Sequence, residues 1–298
     1  MSATITDARI VGFNGSVHHL SQQGRSLLEA RVRTRPGMGK VEYFERLSPS
    51  NMSLVTTRHG DTVWNDIEHS RRAAYKADYS WAQPVDEEDQ LEILIDPVGE
   101  YAMAASAAVG RRIDQTVVNA LYGNAATGEA GGGAVATLTN SQTSAALSLS
   151  RIATGLQTLY DRGVVVSPGD FTYVHNPKSL AQAINDSAAA GGPFTSTDYT
   201  QSEVMHAGAI NVYMGFSWIM LPDAVNNAEF GILPALTATT VGTYMFHRNA
   251  LGLSIWNRVS ASIDKRPDKN NTTQILVKTS LGAVRVEEEL VADRKSVV

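Results

Sequence analysis

There is no cysteine in the 298 residues. That absence removes disulfide staples, thiol chemistry and the usual cysteine-rich zinc sites together, so stability has to come from packing and association. Positive charge is not in excess either: 25 Lys and Arg against 30 Asp and Glu leave a formal net charge of −5. The chain therefore has no global field with which to seek phosphate backbones, and nucleic acid would be confined rather than gripped. No run is apolar enough to cross a membrane. The stretch 204–222 lacks Lys, Arg, Asp and Glu but is interrupted by His206, Gly208, Asn211 and Gly215, and it reads as strands. The first eleven residues alternate polar and apolar and carry Asp7 and Arg9, unlike the basic start and apolar core of a secretion signal.

Motifs of chemistry are scarce as well. Residues 123–128 have the glycine spacing of a phosphate loop, but Glu129 and Ala130 follow where lysine and a hydroxyl are needed, and an acid there repels phosphate. His18 and His19 are adjacent, which on a strand points them to opposite faces. The acidic run 86–89 lacks the glycine and closing glutamate of a calcium loop, so a solvated turn is expected there. Asn271-Thr272-Thr273 fits a glycosylation acceptor, but it reads as a surface turn. No catalytic residue, cofactor site or metal site is assigned, and a binding or structural role is favoured.

Hydrophobic residues at 43% and charged residues at 18% describe a chain that folds, as one large domain or two modest ones. Residues 1–39 have weak periodicity and end in Arg31, Arg33 and Arg35, which at spacing two line one face of an extended arm. The arm is either a solvated edge strand or a contact with a neighbouring subunit. KVEYFERL (40–47) and SRRAAYKADYSWA (70–82) are rich in strand formers, the second with Tyr75, Ala77, Tyr79 and Trp81 on one face. They are expected to pair as a long hairpin, with some twenty polar residues at its projecting end. A two-stranded ribbon is marginal alone, so either the rest of this chain covers the aromatic face or an adjacent subunit does, the reading preferred here.

Asp96-Pro97 is a helix start, and Val98, Tyr101, Ala105, Val109, Ile113, Val117 and Leu121 recur at steps of three and four until Gly123. That predicts a rod of about 26 residues and roughly 40 Å. A Gly, Ala, Ser and Thr-rich connection follows to 148. An α+β module comes next, with helices from Leu149 to about Gly163 and from Lys178 to Asp186, and strands at 171–175 and 216–221. Strand patterning returns over 244–256 and 275–290, with turns expected at 268–271 and 280–282.

The strings TTRHGDT (56–62), HSRRAAYKADYSWAQPVDEED (69–89), LIDPVGEYA (94–102), GRRIDQ (110–115) and MFHRNALGL (245–253) resemble recurring segments of the major capsid proteins of tailed bacteriophages, which share the Hong Kong ninety-seven coat fold. The resemblance covers most of the chain. It implies an α+β fold with an N-terminal arm (1–38), an extended hairpin loop lying over a neighbour (39–83), a peripheral domain (84–140 and 239–298) holding a spine helix (97–123), and an axial domain (141–238). It implies a non-enzymatic shell subunit, gathered as pentamers and hexamers around packaged double-stranded DNA without reading its sequence. Assembly is expected in the bacterial cytoplasm, with a portal protein at one vertex and room for a decoration protein. No long helical, charge-rich leader precedes the arm, which implies a separate scaffolding protein or a chain already processed. Arg31, Arg33, Arg35, Arg58, Arg71, Arg72, Tyr75, Tyr79 and Trp81 are the residues expected at the subunit interface. Two alternatives stay open, an encapsulin-type compartment around a cargo protein and a soluble α+β enzyme.

Overall fold

The computed structural model describes residues 24–85, 97–128, 133–136, 146–164, 169–189 and 212–297. The expectations for His18-His19, the 86–89 run and the Asp96 cap lie outside these. In chain order the elements are β1 (Arg33–Pro36), β2 (Val41–Leu47), β3 (His69–Tyr75), β4 (Ala77–Val85), α1 (Pro97–Tyr122), β5 (Ala125–Ala126), β6 (Ala134–Val135), α2 (Leu149–Asp161), β7 (Phe171–His175), α3 (Pro177–Ala189), β8 (Val212–Tyr213), β9 (Phe216–Met220), β10 (Ala235–Thr237), β11 (Thr240–His247), β12 (Leu251–Arg266), β13 (Thr272–Arg285) and β14 (Val291–Val297). Three sheets result. One runs β1-β12-β13-β4, a second β2-β3-β5-β6, and a six-stranded sheet runs β10-β11-β7-β9-β8 with β14 beside β11.

The helix α1 owes its position to its apolar stripe. Ala105, Val109, Ile113, Val117 and Leu121 are all buried against Leu253, Val277 and Leu281 of the first sheet and Val174 and Phe246 of the six-stranded one. Each buried aliphatic contributes about 1.5–3 kcal/mol, which is why the stripe settles the helix onto both sheets. A second cluster, built on Ile152, Leu159, Phe171, Tyr173, Phe216 and Trp218, holds α2 and α3 to the six-stranded sheet.

The string GRRIDQ acquires a physical meaning at the entry of the chain. A side chain at Gly110 would come 2.8 Å from the Arg25 carbonyl carbon, so the arm can cross α1 there only over glycine. One turn on, the fully buried Asp114 accepts hydrogen bonds from the Ser26 hydroxyl and from the backbone N–H groups of Leu27 (3.1 Å) and Leu28 (3.0 Å). Asp114→Ala leaves those donors without the carboxylate, and a loss of about 2–3 kcal/mol is expected, visible as a lower midpoint in urea.

The predicted Lys178 helix begins one residue earlier, at Pro177, because Asn176 caps it. Its side-chain oxygen accepts from Ser179 N (2.9 Å) and from the Ser179 hydroxyl, while its amide donates to Asp223 (3.0 Å). His175 beside it lies 5.6 Å from Tyr173 and 5.2 Å from Trp218, ring to ring. Burial lowers its pKa to about 4, against a smaller opposing effect of the Asn176 carbonyl. The ring is thus neutral in the fold and takes a proton on unfolding. Its contribution to stability is complete above about pH 6.5 and is lost as the pH falls toward 4, by on the order of 3 kcal/mol. Urea titrations of His175→Gln should show a shallower decline of stability between pH 6.5 and 4 than the parent chain.

Two expectations about strands are corrected. The segment 70–82 is not one strand: β3 pairs with β2 from Val41 opposite Tyr75 to Leu47 opposite His69, and after Lys76 the chain enters β4, which pairs with β13 in another sheet. Alternation had identified the faces, but the joint at Lys76 leaves the hairpin shorter than expected. Likewise 280–282 is no turn, because β13 runs straight through it. Gly282 stands there because a side chain would meet the Tyr75 carbonyl oxygen at 2.2 Å. The turn at 268–271 does form, with Asn270 and Asn271 both at positive φ, and the connection after Gly123 contains the short strands β5 and β6.

Candidate subunit interface

The base of the β2–β3 hairpin is locked to the body. Phe44 is fully buried with Ala74, Ala125, Val284 and Val286, and its ring sits where a side chain on Gly252 would come within 2.5 Å. The guanidinium groups of Arg33 and Arg35 lie 5.8 and 5.4 Å from its centre, an attraction to the ring face that also orients β1.

Beside this aromatic anchor is a buried cluster of charge. Glu288, 4% exposed, receives Arg72 at 3.3 Å and Arg46 at 3.2 Å, while the other arm of Arg46 reaches Glu289 at 2.7 Å. Arg285, fully buried, lies 3.9 Å from Glu288 and donates to the carbonyl oxygens of Leu121 (3.2 Å), Gly123 (2.7 Å) and Val135 (2.9 Å). It supplies what the end of a helix lacks, donors for its last carbonyls. Burial pulls the Arg285 pKa down and Glu288 pulls it back up. Glu287 next door is pushed up by burial, with Arg46 opposing.

Beyond Leu47 and His69 the hairpin leaves the body. The loop 48–68 closes at its neck through Ser48 N and its hydroxyl, both donating to Glu68 O at 3.0 and 2.9 Å. Further out Asn65 donates to Asn51 O at 2.9 Å. Its apolar residues find no cover: Met52 is 99% exposed, Trp64 88%, Leu54 84% and Val55 83%. An exposed apolar set of this kind is the type of surface that offers a docking place to another molecule.

The residues expected at an interface fall into two groups. Arg33 and Arg35 flank Phe44, Arg58 is exposed in the loop, and exposed Arg71 lies 4.4 Å above the Tyr43 ring. The others are held within the chain. Arg31 belongs to a 3-10 turn, off the strand face shared by Arg33 and Arg35, and donates to Ser217 at 3.3 Å. Arg72 is buried on Glu288, and the Tyr75 hydroxyl donates to Gly128 O. Tyr79 packs under Arg112 at 4.6 Å, and with Trp81 it lies against the core around α1. This chain thus supplies part of the cover for that aromatic face, and Tyr75, Tyr79 and Trp81 remain half-buried. Sequence reasoning missed the residues that do lack cover, Met52, Leu54, Val55 and Trp64. Their signal was apolar side chains in a polar segment with no period of 2 or 3.6.

A family model described as phage capsid protein matches residues 5–296. The chain belongs to the phage capsid protein family. Solved structures agree on the fold of this capsid subunit. The capsid of Ralstonia phage GP4 superposes with a TM-score of 0.68 at 10% identity, over 95% of this chain and 94% of that one. The acid-stable capsid of Helicobacter pylori bacteriophage KHP30 gives 0.67 at 10%, over 95% and 94%. Mycobacterium phage Che8 gives 0.64 at 15%, over 93% of each chain. No curated protein matches the sequence. The capsid subunit is thus an α+β protein of the tailed-phage coat fold and a structural, shell-forming component of the virion, and nothing in these likenesses supports the compartment or enzyme alternatives.

Proposed function

We propose that copies of this subunit join head to tail through the 48–68 loop, each loop lying over a neighbour, to form pentamers and hexamers that close into an icosahedral shell. Contacts between unlike surfaces generate rings when the rotation closes. The observation that carries the reading is the exposed apolar loop on a base fixed by Phe44 and Glu288. In this reading residues 1–38 are the arm, 39–83 the extended loop region, 84–140 with 239–298 the peripheral domain around α1, and 141–238 the axial domain. Arg33, Arg35, Arg58 and Arg71 lie along the loop region and its flank, where they meet the neighbour.

The net charge of −5 suits a container that confines double-stranded DNA without binding its sequence. A separate scaffolding protein, a portal at one vertex and assembly in the host bacterial cytoplasm complete the proposal. A decoration protein is compatible with it, and no catalytic role is assigned. Co-expression with the scaffold in bacteria should give closed particles in electron micrographs and a fast-sedimenting species. Protein that stays monomeric or forms only small oligomers under those conditions overturns the proposal.

A further inference from the structure

The outer edge of β12 is paired for only part of its length. β1 lies along Gly252, Leu253, Ser254 and Ile255, and among the described residues no strand continues beside 256–266, while β13 runs along the other side to Arg266. The open stretch carries Val259, 52% exposed, and Ile263, 57% exposed. Ala261 stands opposite Val277, which stands opposite Trp81, and Ile263 stands opposite Ile275. The apolar face that packs on the core thus continues one strand further out, where Val259 and Ile263 are left exposed by the described residues. An open edge with branched aliphatic side chains invites another strand.

We propose that this edge pairs antiparallel with the same edge of a second copy, about a two-fold axis through Ala261, joining two four-stranded sheets into one of eight. The inference rests on the shell reading and adds a contact of a different kind, isologous rather than head to tail. The register follows from the residues. With the axis at Ala261, Val259 faces Ile263 of the second copy, Ser260 faces Ser262, and Arg258 comes opposite Asp264. Moving the axis to Ser262 sets Arg258 against Arg266 and Val259 against Lys265. Moving it to Ile263 sets Ala261 against Lys265 and leaves Val259 without its partner. Only the first joins aliphatic to aliphatic and cation to anion, the pairs that stabilise facing strands. The register shift of β12 between Asn257 and Ser260 falls on Arg258 and Val259 themselves, so the proposed ladder is regular about Ala261 and its Val259 and Arg258 pairs are formed at a bulge. Arg258, 64% exposed though paired with Glu29, has donors left for Asp264 of the second copy.

A chain without cysteine allows a direct test. Facing residues of an antiparallel pair have Cα atoms roughly 4.5–5.5 Å apart, within disulfide reach, and only a residue on the axis faces itself. Shells of Ala261→Cys, assembled under reducing conditions and then oxidised, should give covalent dimers of twice the subunit mass. Ile263→Cys should give none, and Val259→Cys combined with Ile263→Cys should restore them. Ala261→Cys subunits that stay monomeric after oxidation overturn the proposal, as do equal dimers from Ile263→Cys or a cross-link to a different protein. If the unsubstituted chain builds no shells, the shell reading fails instead. The same oxidation of concentrated free Ala261→Cys then decides the edge pairing, dimers supporting it and monomers overturning it.

Discussion

Subunits in which residues 49–67 are replaced by an Asn-Gly turn are expected to fold and to build no shells. The fold survives because the loop contributes nothing to a core: its apolar side chains lie in solvent, and its internal hydrogen bonds join its own two limbs. The seven pairs between β2 and β3 stay in place, and a two-residue turn of this type matches the twist of facing strands. A melting temperature within about 2 °C of the parent is expected, since surface changes away from packed features usually cost little. Assembly is expected to fail because, in the proposed contact, Met52, Leu54, Val55 and Trp64 are the side chains that a neighbour covers. Each such burial supplies about 1.5–3 kcal/mol, and every 1.4 kcal/mol is about tenfold in the association constant. Electron microscopy and sedimentation velocity read the outcome, and normal particles from the shortened chain would remove the loop from the assembly mechanism. Leu54→Ser with Trp64→Ser should fall between the two, raising the concentration needed for assembly.

The largest loss of stability is expected from Glu288→Ala. Arg72 and Arg285 are both buried and both look to this carboxylate, and removing one member of a buried pair leaves an uncompensated charge at a cost of about 3–5 kcal/mol. Domains of this size are stable by only about 5–15 kcal/mol, so much of the margin disappears. Glu288→Gln keeps an acceptor and the shape and should fall between. Urea unfolding followed by circular dichroism measures all three chains, and a midpoint for Glu288→Ala equal to the parent's would show that the cluster holds nothing together.

Sequence alone reaches the parts of this molecule that periodicity controls. The stripe from Ala105 to Leu121 is a helix face, and it placed α1 almost to the residue. Phe171 to His175 is a buried strand whose flanks are breakers, and it too was legible. The course of residues 70–82 was not, because alternation reports which face of a strand is apolar and says nothing about which strand lies beside it. The alternation of Tyr75, Ala77, Tyr79 and Trp81 runs across Lys76 although β3 and β4 join different sheets. Gly282 was misread for a related reason: a glycine in a strand can mark a turn or a close approach of backbone, and only the Tyr75 carbonyl decides between them. The arginines and aromatics stood out as residue types, yet Arg72 is buried on Glu288 and Tyr79 and Trp81 pack in part against the core of their own chain. Exposure of the 48–68 loop depends on what the rest of the chain leaves uncovered, a property no local window contains.

Arg285 reaches back 162 positions to the carbonyl of Gly123, and β13, which carries it, is the inner strand between β12 and β4. A growing polypeptide therefore makes its spine helix long before it makes the group that finishes that helix. Until residues 272–288 have left the ribosome, the first sheet lacks its middle and the hairpin base lacks Glu288. Contacts so distant in sequence slow folding, and here they also set its timing: the base of the hairpin becomes firm only after β13 and Glu288 have been made.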